Sequence, residues 1–262
     1  MTSSRIRCVT LSRNQGTFLQ AAIISVINQN IPCDYLIYDV GSIDESRNVI
    51  AGFRDRLSPV FVDFDRGPSE GLNRCLAEND SPFFYYLNAD DVVLPGAFAY
   101  ALDYFSRNPD CDVLHGAVQI IDELGTVTKT LPAIDFSLKA YALGYSVIYQ
   151  QATFFRSKCF QDVHFNIENR TCWDGELIVD LALAGFKIHK TNAVLGQFRI
   201  YPQSITGSGR LLEQIRKDHA RIAHKILGRP LRKSEILLGL VIGKFKAIYR
   251  RLFVFILVKD AI

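Results

Sequence analysis

The sequence lacks any closely spaced pair of cysteines. Its 262 residues include six cysteines, but no Cys-x-x-Cys pair is present. Cysteines scattered through a chain of this length are typical of reduced thiols, which disfavours a disulfide framework and a zinc site. Internal repeats and low-complexity segments are absent as well.

The sequence also lacks a secretory signal and a membrane-spanning segment. Residues 1–14 contain no apolar stretch of the kind found in signal peptides, and no apolar run reaches the length that crosses a bilayer. We therefore expect a chain that starts at Met1 and stays in the cytoplasm. Net charge is low, at +3, but residues 210–251 are rich in Arg and Lys. This asymmetry suggests a basic end that meets an anionic membrane or a nucleic acid.

The first ninety residues alternate between predicted strands and predicted helices. Apolar runs typical of strands lie at residues 5–12, 35–40, 60–64 and 83–87. Helical segments are predicted between them, at residues 18–28, 44–53 and 72–77. This alternation predicts an α/β fold with a mostly parallel sheet flanked by helices.

The fourth predicted strand ends in carboxylates, because residues 83–91 read FFYYLNADD. Adjacent carboxylates such as Asp90 and Asp91 can hold a divalent cation against the phosphates of a substrate. Alternatively, one of them caps the helix predicted to follow Pro95. Other polar residues are expected at the same edge of the sheet: Asp39, Ser42 and Asp44. Because ligands bind beyond the carboxyl ends of parallel strands, this convergence favours a ligand site.

The second half of the sequence continues with helices and strands. The predicted elements are, in order, a helix at 95–107, a hairpin at 113–121 and 127–130, a strand at 148–156, a helix at 174–184, a strand at 193–200 and a charged helix at 211–227. Residues 236–258 then combine large apolar side chains with basic ones. They suit an amphipathic helix that lies on an anionic membrane, or one that packs on the domain or in a homodimer.

Seven short motifs follow one another between residues 8 and 205. They are VTLSRNQG (9–16), SVINQ (25–29), DVGSIDES (39–46), DRGPSEGLN (65–73), LNADD (87–91), QATFFR (151–156) and WDGEL (173–177). In this order they resemble the motifs of the family 2 glycosyltransferases, which bind nucleotide sugars and have the Rossmann-like GT-A fold. The resemblance implies a GT-A domain at 1–210, with a donor half at about 1–95 and an acceptor half at about 96–210. A helical extension, 211–262, would follow.

The resemblance also implies which residues bind the nucleotide sugar. Asp39 matches the residue that accepts a hydrogen bond from uracil. Asp90 matches the ligand of a Mg²⁺ or Mn²⁺ ion, with Asp91 as a second ligand or behind it. The implied set for the nucleotide sugar is Thr10, Ser12, Asn14, Asp39, Ser42, Arg66, Asn73, Asn88, Ala89, Asp90, Gln151 and Arg199. As isolated residues, the small polar ones are ordinary loop hydrogen-bonding groups, and Arg66 is a solvated charge.

Asp174 matches the family's general base, and Glu176 is the second candidate. The acceptor hydroxyl must lose its proton as it attacks the anomeric carbon, and a carboxylate within hydrogen-bond reach can take it. The two residues point in different directions on a helix, so only one should face the sugar. Asp174 otherwise acts as a helix cap. One base without a separate nucleophile predicts inversion at the anomeric carbon.

The sequence departs from the family's pattern at three positions. Asn88 stands at the first acid of D-x-D, Gln150 at a histidine of the sixth motif, and Tyr201 at a late histidine that can join the metal or the phosphates. Phosphate contacts would then depend on Arg199 or Tyr201. A non-catalytic, nucleotide-sugar-binding homologue is therefore an alternative.

The resemblance thus implies a metal-dependent, inverting hexosyl- or N-acetylhexosaminyltransferase. Its donor would be a nucleotide sugar such as a UDP-sugar, and its acceptor a glycan or a lipid-linked sugar in surface polysaccharide synthesis, such as that of lipopolysaccharide. The other alternative is a nucleotidyltransferase, but residues 12–16 are not the Gly-rich phosphate loop that such an enzyme would need. Low net charge and an acidic crevice argue against a nucleic-acid-binding protein.

Overall fold

A computed structural model describes residues 5–239. Its strands are β1 (Ile6–Ser12), β2 (Cys33–Val40), β3 (Ser58–Val62), β4 (Phe83–Asn88), β5 (Val92–Val93), β6 (Val113–Ile121), β7 (Val127–Leu131), β8 (Thr153–Arg156) and β9 (Ile188–Arg199). Its helices are α1 (Gly16–Ile27), α2 (Ser46–Ala51), α3 (Pro68–Ala77), α4 (Ala97–Arg107), α5 (Leu138–Ala142), α6 (Trp173–Leu183), α7 (Ile205–Ser208) and α8 (Leu212–Leu227). Each element predicted within residues 5–239 is present, with shifts at its ends.

The strands form one sheet in the order β3-β2-β1-β4-β8-β6-β9-β5, with β7 paired to β6. The first four strands are parallel, whereas β8 runs antiparallel to both of its neighbours. The predicted α/β class is therefore confirmed, with a parallel first half and a mixed second half. Ser12 is level with Asp39, and Leu11 with Asn88. The carboxyl ends of β1, β2 and β4 consequently meet at one edge.

Helices cover both faces of the sheet because its central strands are apolar on both faces. Tyr85 of β4 packs in one core with Leu19 of α1. The adjacent Tyr86 packs in the opposite core with Leu72 of α3 and Leu177 of α6. Side chains alternate across a strand, which accounts for this division. Burial on both faces leaves the strand ends as the place where polar groups can meet a ligand.

Two predicted boundaries are wrong. Residues 150–152 form a turn of 3-10 helix, so β8 begins only at Thr153. In this turn the side chain of Gln150 bonds to the backbone of β4, and that of Gln151 bonds to Asp91 just beyond the strand. Helix α3 begins at Pro68 instead of Leu72. Gly67, with a φ of 120°, supplies the bend before it, and proline suits a first helical turn.

The C-terminal helix α8 packs on α5 and α6. Residues 233–239 are helical again and expose the side chains of Ile236, Leu237 and Leu238. Most of the predicted amphipathic segment, residues 240–258, lies outside the described residues. Between residues 5 and 239, no helix combines the length and apolar character needed to cross a membrane.

Candidate active site

The loops that follow β1 and β2 are joined by hydrogen bonds. The backbone N–H of Asn14 donates to Ser42 Oγ (2.9 Å), and the backbone N–H of Ile43 donates to Asn14 Oδ1 (2.9 Å). Ser42 Oγ in turn donates to Asp39 Oδ2 (2.5 Å). Asn14 has a left-handed φ of 51°, which asparagine tolerates. The structure therefore brings Asn14, Asp39 and Ser42 together, as predicted.

Asp39 is fully buried at the end of β2. Arg47 of α2 approaches it, with 3.4 Å between Arg47 Nε and Asp39 Oδ1. The guanidinium of Arg47 also lies over the ring of Phe61, 5.3 Å from its centroid. A buried carboxylate needs such partners, because an unpaired charge in the interior is costly. Sequence reasoning missed Arg47, since only the approach of α2 to β2 reveals it.

Ser12 and Thr10 occupy different positions along β1. The hydroxyl of Ser12 lies at the strand end and is buried, with no hydrogen-bond partner among residues 5–239. Thr10 lies two residues back, about 6.6 Å deeper at the usual rise of a strand. It is 0% exposed, and its Oγ1 bonds to Tyr35 OH at 2.9 Å. Thr10 therefore belongs to the core beneath the site, and its expected place at the base and ribose is corrected.

Asp90 and Asp91 have different surroundings despite being adjacent. Asp91 is 1% exposed, and its carboxylate accepts hydrogen bonds from the Arg199 backbone (2.9 Å), Gln151 Nε2 (2.8 Å) and Asn88 Nδ2 (3.2 Å). Asp90 is half-buried, and its Oδ2 accepts from Tyr201 OH at 3.3 Å. Asp91 therefore holds the strand ends together, whereas Asp90 lies where a ligand can reach it.

Both carboxylates are destabilised in their charged form. Burial raises the pKa of Asp90, although Tyr201 and Arg199 oppose this shift. Burial and the nearby Asp90 raise the pKa of Asp91 well above its ordinary value. A cation beside Asp90 would stabilise its charged form, because an opposite charge lowers the pKa of a carboxyl group.

A divalent cation fits Asp90 better than Asp91. Both oxygens of Asp91 already accept hydrogen bonds from the protein, which favours the second of its two expected roles, a place behind the ion. Within residues 5–239, no three His, Cys, Asp or Glu side chains gather as a metal site. Mg²⁺ commonly takes one or two carboxylates and completes its shell with water and substrate phosphates. Asp90 can supply that single carboxylate.

Arg199 supports the segment that carries Asp90. Its Nε donates to the backbone carbonyl of Asp90 (2.8 Å), and its NH1 donates to the carbonyls of Asp122 (2.9 Å) and Glu123 (3.1 Å). Its guanidinium lies 4.8 Å from the ring centroid of Phe18. These contacts join the β6–β7 turn to the end of β4. Arg199 is thus brought to the site as predicted, but as part of its frame.

Two glutamines and an asparagine form a polar network behind Asp90. Asn88 Nδ2 donates to Gln150 Oε1 (3.3 Å) as well as to Asp91, and Gln150 Nε2 donates to the Tyr86 carbonyl. Gln151 bonds to Asp91. Ala89, which lies between Asn88 and Asp90, is buried in the same core as Tyr85 and Leu19. The polar middle of the segment predicted as a strand at 148–156 was the sequence signal for this network.

Asp174 lies in the first turn of α6, after the cap position occupied by Cys172. It is half-buried and lines a small cavity together with Tyr86, Gln150 and Thr153. Burial raises the pKa of Asp174, although the N–H of Gly175 donates to it at 2.8 Å and opposes the shift. A raised pKa would suit a general base, and the cavity connects Asp174 with Gln150 of the network behind Asp90.

Glu176 is not available as a base, which corrects its place as the second candidate. It is 0% exposed, and both its oxygens accept from the Arg221 guanidinium at 2.6 Å. Lys225 Nζ donates to it at 2.7 Å. Burial alone would raise the pKa of Glu176, but Arg221, Lys225, Asn169 and Asn166 together lower it to about 2.

The loop before α3 contributes less than the motif suggested. Asn73 uses both amide atoms on the backbone of Phe165, donating to its carbonyl at 2.8 Å and accepting from its N–H at 3.0 Å. This pairing connects α3 with the segment before α6. It corrects the expectation that Asn73 contacts the nucleotide sugar. The side chain of Arg66 is exposed and forms no hydrogen bond or ion pair within residues 5–239, so it is free to meet a ligand.

The family described as Glycosyl transferase family 2 has a model that matches residues 8–163. The chain belongs to this family. The match covers more than half of this chain, and it includes the edge of the sheet where Asp39 and Asp90 lie. Asp174 and Glu176 lie beyond the matched region.

Among curated proteins, this family 2 chain is similar to the poly-beta-1,6-N-acetyl-D-glucosamine synthase of Staphylococcus epidermidis. The two are 22% identical over 187 residues, which cover 67% of this chain and 43% of the synthase. The chain thus spans less than half the length of that relative.

Solved structures share the fold of the family 2 chain. S. aureus TarS 1–349 in complex with UDP-GlcNAc has a TM-score of 0.70 and 13% identity, over 90% of this chain and 71% of that one. The mannosyltransferase PcManGT from Pyrobaculum calidifontis, in complex with GDP-Man and Mn²⁺, has a TM-score of 0.64 and 13% identity, over 91% and 69%. These likenesses confirm the predicted GT-A fold.

Proposed function

We propose that the protein is an inverting glycosyltransferase. It moves a hexosyl or N-acetylhexosaminyl group from a UDP-sugar to a glycan or a lipid-linked acceptor in surface polysaccharide synthesis. The observation that carries the proposal is the placement of two carboxylates at one edge of the sheet and of a third across a cavity. Asp39 ends β2 and Asp90 follows β4, the two strands that pair with β1 on either side, and Asp174 shares a cavity with Gln150 of the network behind Asp90.

The donor half provides groups suited to each part of a nucleotide sugar. Asp39 accepts an N–H of the base, and the unpartnered hydroxyl of Ser12 offers a further hydrogen bond nearby. Asp90 lies at the diphosphate, where it would hold a Mg²⁺ or Mn²⁺ ion. That ion would neutralise the charge that develops on the nucleotide diphosphate as it leaves. The exposed guanidinium of Arg66 would donate to a phosphate or sugar oxygen.

Asp174 removes the proton of the acceptor hydroxyl as that oxygen attacks the anomeric carbon. The C–O bond to the diphosphate breaks as the new glycosidic bond forms on the opposite face, so the configuration inverts. The raised pKa of Asp174 brings the proton affinity of this base closer to neutral pH, where general-base catalysis is most effective. Gln150 bonds to Asn88 and lines the same cavity as Asp174, so it connects the surroundings of the base with the network behind Asp90.

The test is nucleotide release from a panel of UDP-, GDP- and dTDP-sugars in the presence of Mn²⁺, with water or added saccharides as acceptors. We expect turnover with a UDP-sugar, and a loss of about 10²–10⁴-fold in Asp174→Asn, the usual contribution of a general base. Nucleotide binding without any turnover would instead favour a non-catalytic homologue. Pyrophosphate production from sugar phosphate and UTP would favour a nucleotidyltransferase. Near-normal transfer by Asp174→Asn would remove the assignment of the base.

We further propose that the C-terminal segment brings the enzyme to an anionic membrane, where a lipid-linked acceptor would lie. Exposed Ile236, Leu237 and Leu238 follow exposed Arg232 and Lys233, and the sequence continues in the same basic and apolar style. Basic residues near an anionic surface contribute about 1 kcal/mol each to binding. A packing role within a homodimer is the alternative.

A further inference from the structure

Helix α8 is attached to helix α6 by ion pairs with a buried carboxylate. Both NH groups of Arg221 donate to the two oxygens of Glu176 at 2.6 Å. Lys225 Nζ bridges Glu176 (2.7 Å) and Asp180 (2.8 Å) on the same helix. A bidentate arginine–carboxylate pair fixes the direction as well as the distance of its partners. The contact therefore sets the position of α6 relative to α8.

This contact lies in the same helical turn as the proposed base. Glu176 follows Asp174 by two residues in α6, and Glu176 is 0% exposed. The same carboxylate accepts from Asn166 (3.1 Å) and Asn169 (2.7 Å) in the preceding segment. That segment is tied to α3 of the donor half through the backbone of Phe165. Glu176 is thus the junction between α8, α6 and the donor half.

We propose that Arg221, assisted by Lys225, is a positioning residue for sugar transfer. It holds Glu176 and through it the first turn of α6, so that Asp174 stays within reach of the acceptor hydroxyl. The inference rests on the proposed function, in which Asp174 is the base. Within residues 5–239, the side chain of Arg221 bonds to Glu176 alone. Its loss should therefore affect the chemical step and leave nucleotide binding unchanged.

The test compares Arg221→Met with Arg216→Met. Arg216 lies on the same helix, is exposed, and forms no ion pair in the described part of the chain, so it controls for the loss of one arginine. Because a displacement of about 1 Å can cost about 100-fold in rate, we expect kcat to fall about 10- to 100-fold in Arg221→Met. The Kd for UDP with Mn²⁺ should stay at the wild-type value, and Arg221→Lys should recover part of the loss.

A folded Arg221→Met enzyme with wild-type kcat would overturn the inference, as would an equal loss in Arg216→Met. Should Arg221→Met not fold, Glu176→Gln decides, because it keeps the shape of the side chain and removes the ionic contact. Measured at a temperature where circular dichroism shows it folded, it must show the same fall in kcat. The kcat values of the wild type and of Asp174→Asn are measured in the same experiment as controls. An inactive wild type or an active Asp174→Asn would refute the proposed function, whereas an active Glu176→Gln refutes the positioning role.

Discussion

Glu176→Gln is expected to destabilise the protein by about 2 kcal/mol at neutral pH. The pKa of Glu176 is lowered from 4.5 to about 2, which corresponds to about 3.5 kcal/mol at about 1.4 kcal/mol per pH unit. Arg221 and Lys225 are 41% and 35% exposed, so solvent screening reduces this figure to about 2 kcal/mol. For a chain of this size, about 2 kcal/mol lowers Tm by about 4–8 °C.

The effect should depend on pH in one direction. Because the pKa of Glu176 is lower in the folded state than in the unfolded chain, the stabilisation is present above about pH 4.5 and is lost as the pH falls towards 2. Urea unfolding, followed by circular dichroism at pH 7 and pH 3, measures the difference between Glu176→Gln and wild type. We expect a full difference at pH 7 and a reduced one at pH 3.

A matched control is the exposed pair Glu213–Lys217, with 2.8 Å between its charged groups. Both of its residues lie on α8, the helix that carries Arg221 and Lys225. Glu213→Gln removes a carboxylate from a surface ion pair, which should cost about 0.5 kcal/mol or less. Equal effects of Glu176→Gln and Glu213→Gln, or a Glu176→Gln effect that does not change with pH, would refute the description of Glu176 as a buried anchor.

Three further predictions test the site and the tail. Asp90→Asn should remove the stabilisation by UDP that depends on Mn²⁺, measured as a Tm shift, while changing the Tm of the free protein by little. Thr10→Val should leave the affinity for UDP unchanged but lower stability by about 1–3 kcal/mol, because the buried Tyr35 hydroxyl loses its partner. Deleting the residues after Leu231 should release the protein from anionic vesicles in a sedimentation assay and leave nucleotide release intact.

Each of these predictions has a contradicting result. A Mn²⁺-dependent shift retained in Asp90→Asn would place the metal elsewhere. Weaker UDP binding by Thr10→Val would return that residue to the site. Unchanged vesicle partitioning of the truncated protein, with neutral vesicles as the control, would leave packing on protein as the role of the tail.

The donor half could be predicted from local patterns alone. Apolar runs that end in polar residues mark β1, β2 and β4, and parallel pairing brings those ends together whatever the rest of the chain does. The position of Asp39 level with Ser12 follows from this rule. The sequence did not indicate how deep each residue lies below the edge of the sheet. Thr10 was therefore grouped with Ser12, although it lies two residues further into the core.

The roles of neighbouring acids depended on distant partners. Asp91 is enclosed because the backbone of Arg199, far along the chain, donates to it. Glu176 is paired because α8 returns over α6. Arg221 and Lys225 are four residues apart and so share a helix face, but no local signal shows which surface that face meets.

The central claim is that this edge of the sheet binds a nucleotide sugar with the metal on Asp90. A crystal structure of the protein with UDP and Mn²⁺ tests it most directly. The account predicts the uracil ring at Asp39 and Mn²⁺ coordinated by one carboxylate oxygen of Asp90 and by diphosphate oxygens, with Asp91 still bonded to Arg199 and Gln151. Mn²⁺ coordinated by Asp91, or UDP bound away from Asp39, would contradict it.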